Sequence, residues 1–485
     1  MVGPVFWLED GMTEVVVAGG GTAGFAAAIA AARAGAQVTL LEQLSYLGGT
    51  MTGGLVPGIV SMRHQPWRDE ETLVQMESLY TGNQVVRGIA QELVDRLIAV
   101  GGSYSLKDGE APVRVLFDPE LMKWVVDHMV REAGVRILYH TKVTGVRKDG
   151  NRITGVTTDY GRFIPADVVI DATGDGHVAN FAGAPYEQGE KNDVTYVQPI
   201  TLYFLMGGVE MDKTIAAINQ TKGDFSEAYV RKLNELYEKG MPFTVLAINS
   251  IREKAAAEGK YPIPFGTTTL NPRAHTSICR PVFRGGKIRY DITMHNVDMA
   301  YRVDATDVES LSEAIGSMRD FTVRTANYFR EYVPGFENSY LLQVADIVGV
   351  RETRRIVGDY VLTGSDVLEA RTFEDAIGFC GATVDVHNVE GGKELTRMSA
   401  IREGKSYQVP YRMLLPQGIE NLLVAGRCVS ADRVACGSIR QQAGCLVTGQ
   451  GAGVAAAIAG RGKITPRAVP YAQLRAELET QGVVL

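Results

Sequence analysis

A run of glycines set between a short apolar stretch and an alanine-rich one constrains this chain more than any other feature. Residues 14–18 (EVVVA) are apolar without alternation, the pattern of a strand buried on both faces of a parallel sheet. Gly19-Gly20-Gly21-Thr22-Ala23-Gly24 follows at once, and a helix is predicted over residues 25–34 with Gly35 as its stop. A second strand, residues 37–41, ends at Glu42 and Gln43. Each glycine has a task. Gly19 permits the tight turn, Gly21 lets backbone approach a pyrophosphate, and Gly24 lets the helix pack on the strand. The helix start at Thr22 and Ala23 offers free N–H groups to phosphate. Glu42 stands within reach of ribose hydroxyls and repels a 2′-phosphate. The unit reads as a dinucleotide site.

The stretch that follows selects the dinucleotide. Residues 47–54 (LGGTMTGG) form a second glycine loop shortly after Glu42. A nicotinamide dehydrogenase has no need of one there. A flavin nucleotide does, because its ribityl chain and ring run on past the pyrophosphate. Gly48, Gly49, Thr50 and Thr52 supply small residues and hydroxyls for that path. Turn signals at Asp149-Gly150 and Tyr160-Gly161 then mark a hairpin-rich stretch. It leads into a buried strand and glycine turn over residues 168–176 (VVIDATGDG). Ala172, Thr173, Gly174 and Asp175 are expected on the cofactor, with Val143 beside them. A last buried strand, residues 421–425, meets Gly426 and Arg427. A long helix rich in small residues is predicted over residues 438–459. The order of these pieces resembles the layout of FAD domains of the glutathione-reductase type, which implies that the helix start at Ser438, Ile439 and Arg440 points at the flavin pyrimidine edge, where a helix dipole and an arginine would stabilise negative charge. Gly449, Gly451 and Gly453 follow no strand, so they read as close helix packing rather than a second phosphate loop.

These pieces together resemble the FAD-dependent oxidoreductase family of the glutathione-reductase-like flavoprotein superfamily. Two further blocks carry the resemblance, residues 350–363 (VRETRRIVGDYVLT) and residues 407–416 (YQVPYRMLLP). It implies bound FAD and a flavin-dependent redox fold over residues 13–460. There are departures. His177 follows the ATGDG run where many members carry aspartate, and Arg427 follows the final strand's glycine where many flavoproteins carry an acid. The expected class is α/β, a Rossmann-like FAD-binding domain (parallel sheet with β-meander) plus an α+β substrate or cap domain. The FAD-binding domain is expected in two parts, 12–185 and 413–465. The substrate domain takes 186–340, a mixed segment returning to the flavin site takes 341–412, and a C-terminal helix takes 466–485.

Within the cap, residues 212–260 read as charged helices over the site and residues 261–286 as loops rich in Pro, Gly and Thr. Residues 306–332 read as one long helix stopped by Pro334-Gly335. With 49 Lys and Arg against 56 Asp and Glu the formal charge is −7, so no basic footprint for nucleic acid is present. No apolar run is long enough for a membrane span. The acidic N-terminus lacks the basic start of a secretory signal, and a cytoplasmic setting is the expectation. Five cysteines without CxxC spacing read as free thiols, and no metal site is expected. No second GxGxxG follows a strand. The electron acceptor therefore stays open between dioxygen, a quinone, a protein and a nicotinamide, and homo-oligomerisation stays open with it.

The expected reaction is hydride transfer between a small polar organic substrate and flavin N5, with a protein group moving the proton. A lyase, hydratase or isomerase that uses FAD as a template is the alternative. His387 leads the candidates. In the alternating run VDVHN, Asp385 and His387 fall on one side, where a carboxylate can orient an imidazole. His275, in the loop-rich middle, and His295, at a strand end, follow. Arg354, with Arg351 and Arg355, either clamps an anionic substrate bidentately or pairs with Glu352, Asp359 or Asp346.

Overall fold

Burial on both faces puts the first strand in the middle of a sheet. In the computed structural model, which describes residues 13–64, 83–104, 114–190, 192–221, 223–262, 277–297, 299–387, 396–399, 401 and 405–485, β1 (Thr13–Ala18) runs parallel to both its neighbours. α1 (Thr22–Arg33) crosses to β2 (Val38–Leu41), and β3 (Arg136–Leu138) extends the sheet in the same direction. β4 (Val143–Asp149), β5 (Arg152–Thr158) and β6 (Phe163–Asp171) form the antiparallel meander. β6 serves twice. Residues 163–165 pair with β5, while residues 168–171 run parallel to β1. One strand thus carries the chain from the meander into the turn Ala172–Asp175.

The cap begins with β7 (Phe204–Gly207). Three helices follow, α2 (Met211–Gln220), α3 (Glu227–Glu238) and α4 (Asn249–Ala257), with the short β8 (Val245–Leu246) between the last two. The predicted charged cover takes this form. β9 (Ser277–Arg284) and β10 (Lys287–His295) are a hairpin, and α5 (Val308–Tyr332) leads to β11 (Tyr340–Val344). The antiparallel sheet has the order β8-β9-β10-β7-β11. Residues 277–284, expected as loop, are strand. Valine and phenylalanine at 282 and 283 favour it, and Pro281 sits at a register shift, where a missing N–H is tolerated. Phe204, Met206, Phe243, Phe329 and Phe336 fill the core beneath.

The chain then returns. β12 (Val384–His387) pairs with β13 (Thr396–Ser399), and β14 (Leu422–Val424) lies parallel to β6 at residues 169–171. The large sheet has the order β3-β2-β1-β6-β5-β4, with β14 also on β6. The predicted last helix is two helices, α6 (Arg433–Ile439) and α7 (Gln442–Gly462). The chain is tightly packed at the break, where a Cβ on Gly444 would stand 2.3 Å from Ile439 O. The glycines of α7 pack as expected. A Cβ on Gly449 would lie 2.2 Å from Ala23 O, and one on Gly453 2.2 Å from Ala27 O, so only glycine lets α7 rest on α1. By length and composition α7 is apolar enough to cross a membrane, against the expectation of no such run, and here it is the core helix, buried from Gln442 to Gly460. α8 (Tyr471–Thr480) is shorter than the helix expected over 466–485.

Candidate active site

A single cavity of about 1680 Å³ runs from the N-terminus of α1 to the cap sheet. Gly19, Gly21, Thr22 and Ala23 line its first end, with Glu42 and Gln43 at the end of β2 and Val143 at the start of β4. The glycines divide the work. A Cβ on Gly24 would stand 1.7 Å from Gly19 O, so Gly24 packs the loop from beneath. A Cβ on Gly21 would meet nothing within 4 Å, so that face is open to the cavity. Gly48 donates its N–H to Gly20 O at 2.9 Å and takes a φ of +98°, fixing the second glycine loop to the first. Gly49 and Thr50 reach the wall. Thr52 sits behind it, its hydroxyl donating to Leu47 O at 2.8 Å. Glu42 accepts from the N–H groups of Gly20 (2.7 Å) and Leu44 (2.8 Å). Burial raises its pKa, and the N–H groups of Leu44, Gly20 and Gln43 act against that rise.

Further along, Ala172, Thr173, Gly174 and Asp175 face Gly426 and Arg427 across the cavity. Arg427 Nη2 donates to Asp175 Oδ1 at 2.8 Å, and Nη1 donates to Thr353 Oγ1 at 2.9 Å. Thr353 Oγ1 in turn donates to Asp175 Oδ1 at 2.9 Å, closing a triangle. The acid missing after the final strand is thus present on the neighbouring turn. Burial works against the charged Asp175, yet the Arg427 guanidinium holds its pKa below the ordinary value. The helix start facing the cavity belongs to α7, not to Ser438. Arg440, Gln441, Gln442 and Cys445 are on the wall. Ser438 and Ile439 are buried behind it, Ser438 bonded to Ala382 O and Tyr407 Oη. The N-termini of α1 and α7 carry no side-chain cap, so both present backbone N–H groups. Gln442 Oε1 and Arg440 Nε are buried without a partner on the same wall. Glycine-lined backbone, two uncapped helix starts and unspent polar atoms fit an FAD lying along this groove.

The cap closes the far end. His387 Nε2 lies 3.2 Å from Asp385 Oδ1, and Arg440 Nη2 reaches Asp385 O at 2.9 Å and Asp385 Oδ2 at 3.3 Å. Both members of the expected His–Asp pair line the cavity. Burial and the nearby Arg351 lower the His387 pKa, while Asp385 pulls it up. The other candidates part company. His295 lies inside the cap core, stacked on Phe204 at 4.7 Å and beside Phe329 at 4.8 Å. Strand alternation gives Met294 and Asn296 to the cavity and turns His295 away. Arg354 also lies off the wall, over the Tyr186 ring and donating to Asp175 O at 3.1 Å. It sits there because the short strand Arg354–Ile356 pairs with Tyr186–Gln188. Arg355 pairs with Glu352, and Arg351 alone of the three faces the cavity. His275 falls outside the described residues. Arg280, Tyr203, Asn296 and Tyr301 also line this end. No motif marks them, because sheet pairing in the cap is what brings them together. All five cysteines are free and buried, and no metal-binding cluster occurs among the described residues.

A parallel sheet with a meander, a glycine cradle at its switch point and a cap over the same groove define an FAD-binding flavoprotein of the Rossmann type. The sequence profile of the FAD dependent oxidoreductase family matches residues 14–478. The chain belongs to that family, and its cofactor is FAD. No curated protein matches it by sequence. Among solved structures it is similar to a geranylgeranyl bacteriochlorophyll reductase-like protein from Thermoplasma acidophilum, at 13% identity and a TM-score of 0.44 over 97% of this chain and 83% of that one. It is also similar to L-proline dehydrogenase from P. horikoshii, at 13% identity and a TM-score of 0.39 over 90% of this chain and 92% of that one.

Proposed function

We propose that the chain oxidises a small polar organic molecule held between the cofactor groove and the cap, with His387 as the proton acceptor. The observation that carries this reading is the single cavity, about 1680 Å³, with the cofactor cradle at one end and the His387–Asp385 pair at the other. A usual ligand pocket is roughly 300–1,000 Å³, so the space supports a cofactor and a second molecule together. FAD, when bound, supplies the two-electron acceptor. The protein supplies the rest. Asp385 Oδ1 lies 3.2 Å from His387 Nε2 and orients the ring. Because burial lowers its pKa, His387 is a neutral imidazole at pH 7, the form that takes a proton from a substrate hydroxyl or amine. Arg440, beside the start of α7, stands where negative charge on a reduced flavin needs a counter-charge.

The test is an anaerobic screen of alcohols, amines and hydroxy or amino acids on the FAD-loaded protein, scored by loss of the flavin's visible absorption. Stoichiometric bleaching by one class supports the reading. Turnover of a substrate with no bleaching overturns it in favour of the non-redox use of FAD.

A further inference from the structure

The cap end of the cavity is overloaded with positive charge. Arg280, Arg351 and Arg440 line it, and among the described residues Asp385 is the carboxylate that pairs with them, through Arg440, while Asp346, also on the wall, is bonded to Tyr46. Asp385 is already shared by Arg440 and His387. Arg351 is 8% exposed and donates through Nη1 only to neutral oxygens, those of Pro199 and Thr201. Arg280 donates through Nε to Thr244 Oγ1 at 3.1 Å. Among the described residues neither Arg280 nor Arg351 has a carboxylate within ion-pair distance. Both line the cavity wall with Tyr203, and burial presses on the charge of each. A desolvated guanidinium without an anion is costly. Its five N–H donors form a fork that matches a carboxylate. Asn296 Oδ1, buried and unpaired on the same wall, marks the space as made for a polar ligand.

Bound FAD does not answer this charge. Its pyrophosphate belongs to the backbone cradle at Gly19–Gly24, and the start of α7 with Arg440 belongs to the ring. Arg280 and Arg351 come from the cap sheet and from the segment after β11, at the cap end of the cavity, away from that cradle. We propose that Arg280 and Arg351 form a carboxylate-binding site, and that the substrate is therefore a small organic acid. The proposal rests on the oxidoreductase reading for its chemistry, but the binding site stands or falls by itself.

The experiment uses the FAD-loaded protein and four probes, acetate, propionate, lactate and benzoate, each against its own amide. Binding is followed by calorimetry and by the flavin difference spectrum. At least one acid is expected to bind tenfold or more tighter than its amide, and that preference should fall about 10- to 100-fold in Arg280→Met, the loss of one charge-assisted pair. Arg351→Lys, which keeps a charge but loses the fork, should fall less. FAD content should not change in either variant. The proposal is overturned if no acid outbinds its amide, if the preference survives Arg280→Met, or if that variant loses FAD instead. Acids that bind by charge while no organic acid bleaches the flavin would sustain the anion site and end the redox reading.

Discussion

Arg427 Nη2 lies 2.8 Å from Asp175 Oδ1, tying the turn after β14 to the turn after β6, with Thr353 bonded to both. The two turns frame the middle of the cofactor groove, so this pair holds its width. Arg427→Met should cost about 1–3 kcal/mol, because it takes the charged donor from a largely desolvated carboxylate and leaves it Thr353 alone. The sign with pH follows from the lowered Asp175 pKa. A carboxyl whose folded pKa is depressed stabilises the fold above its unfolded pKa of about 3.9 and loses that contribution as pH falls through the folded value. Urea unfolding at several pH values should show parent and variant well apart at pH 6 and converging below pH 4.

Two glycines three positions apart should fail in different ways. Gly21 has open space where a side chain would go, and Gly24 has Gly19 O at 1.7 Å. Gly21→Glu should fold with an unchanged melting temperature in the FAD-free state and retain no FAD, because its carboxylate points at the pyrophosphate. Gly24→Ala should instead lose about 1–3 kcal/mol by overpacking, visible as a lower melting temperature with or without FAD. Equal FAD retention by Gly21→Glu and parent would remove the cradle.

The FAD half was legible because its chemistry is local. Gly19 to Glu42 is one continuous βαβ unit, and a ligand that needs bare backbone leaves glycines in the sequence. Strand alternation likewise placed Asp385 and His387 together. The rest of the cap end was legible only in part. The Arg351/Arg354/Arg355 cluster offered an anion clamp, but Arg280 is 71 residues from Arg351 in sequence, and no local rule joins the two. Only the register of the cap sheet and the return of the chain after β11 bring them to one wall. His295 misled because a strand-end histidine looks the same whether it faces a cavity or an aromatic core. The break at Arg440-Gln441 was hidden because no Pro marks it. The tight packing there is visible only in the contact of Gly444 with Ile439.

Glu352 is a second point where charge and fold meet. It is fully buried, accepts from Gln198 N at 3.1 Å, and lies between Arg355 and Arg433, the latter at 3.5 Å. Neither arginine reaches the cavity wall, so the cluster is structural. Glu352→Ala leaves two nearly buried guanidiniums facing each other, and breaking such a pair costs roughly 3–5 kcal/mol. The urea midpoint should drop accordingly. A loss under 1 kcal/mol would mean that Glu187 and Glu190, which lie 3.5 and 3.4 Å from Arg355 and Arg433, can take its place.

His387 carries the sharpest prediction: as the proposed proton acceptor, its protonation would set the reaction's pH limit. His387→Ala should keep FAD and slow flavin reduction by about 10²- to 10⁴-fold, the usual worth of a positioned base. In the parent, burial and Arg351 hold the imidazole pKa below the ordinary 6.5. The neutral form accepts the proton, so the rate should be level above that lowered pKa and fall as pH drops through it. Asp385 favours the protonated ring. Asp385→Asn should therefore move the acid limb to still lower pH while reducing the plateau, since the ring loses its orienting partner. Stopped-flow reduction across pH 4–8 separates the two effects. An acid limb that stays in place in Asp385→Asn, or shifts upward, would show that some other group than His387 takes the proton.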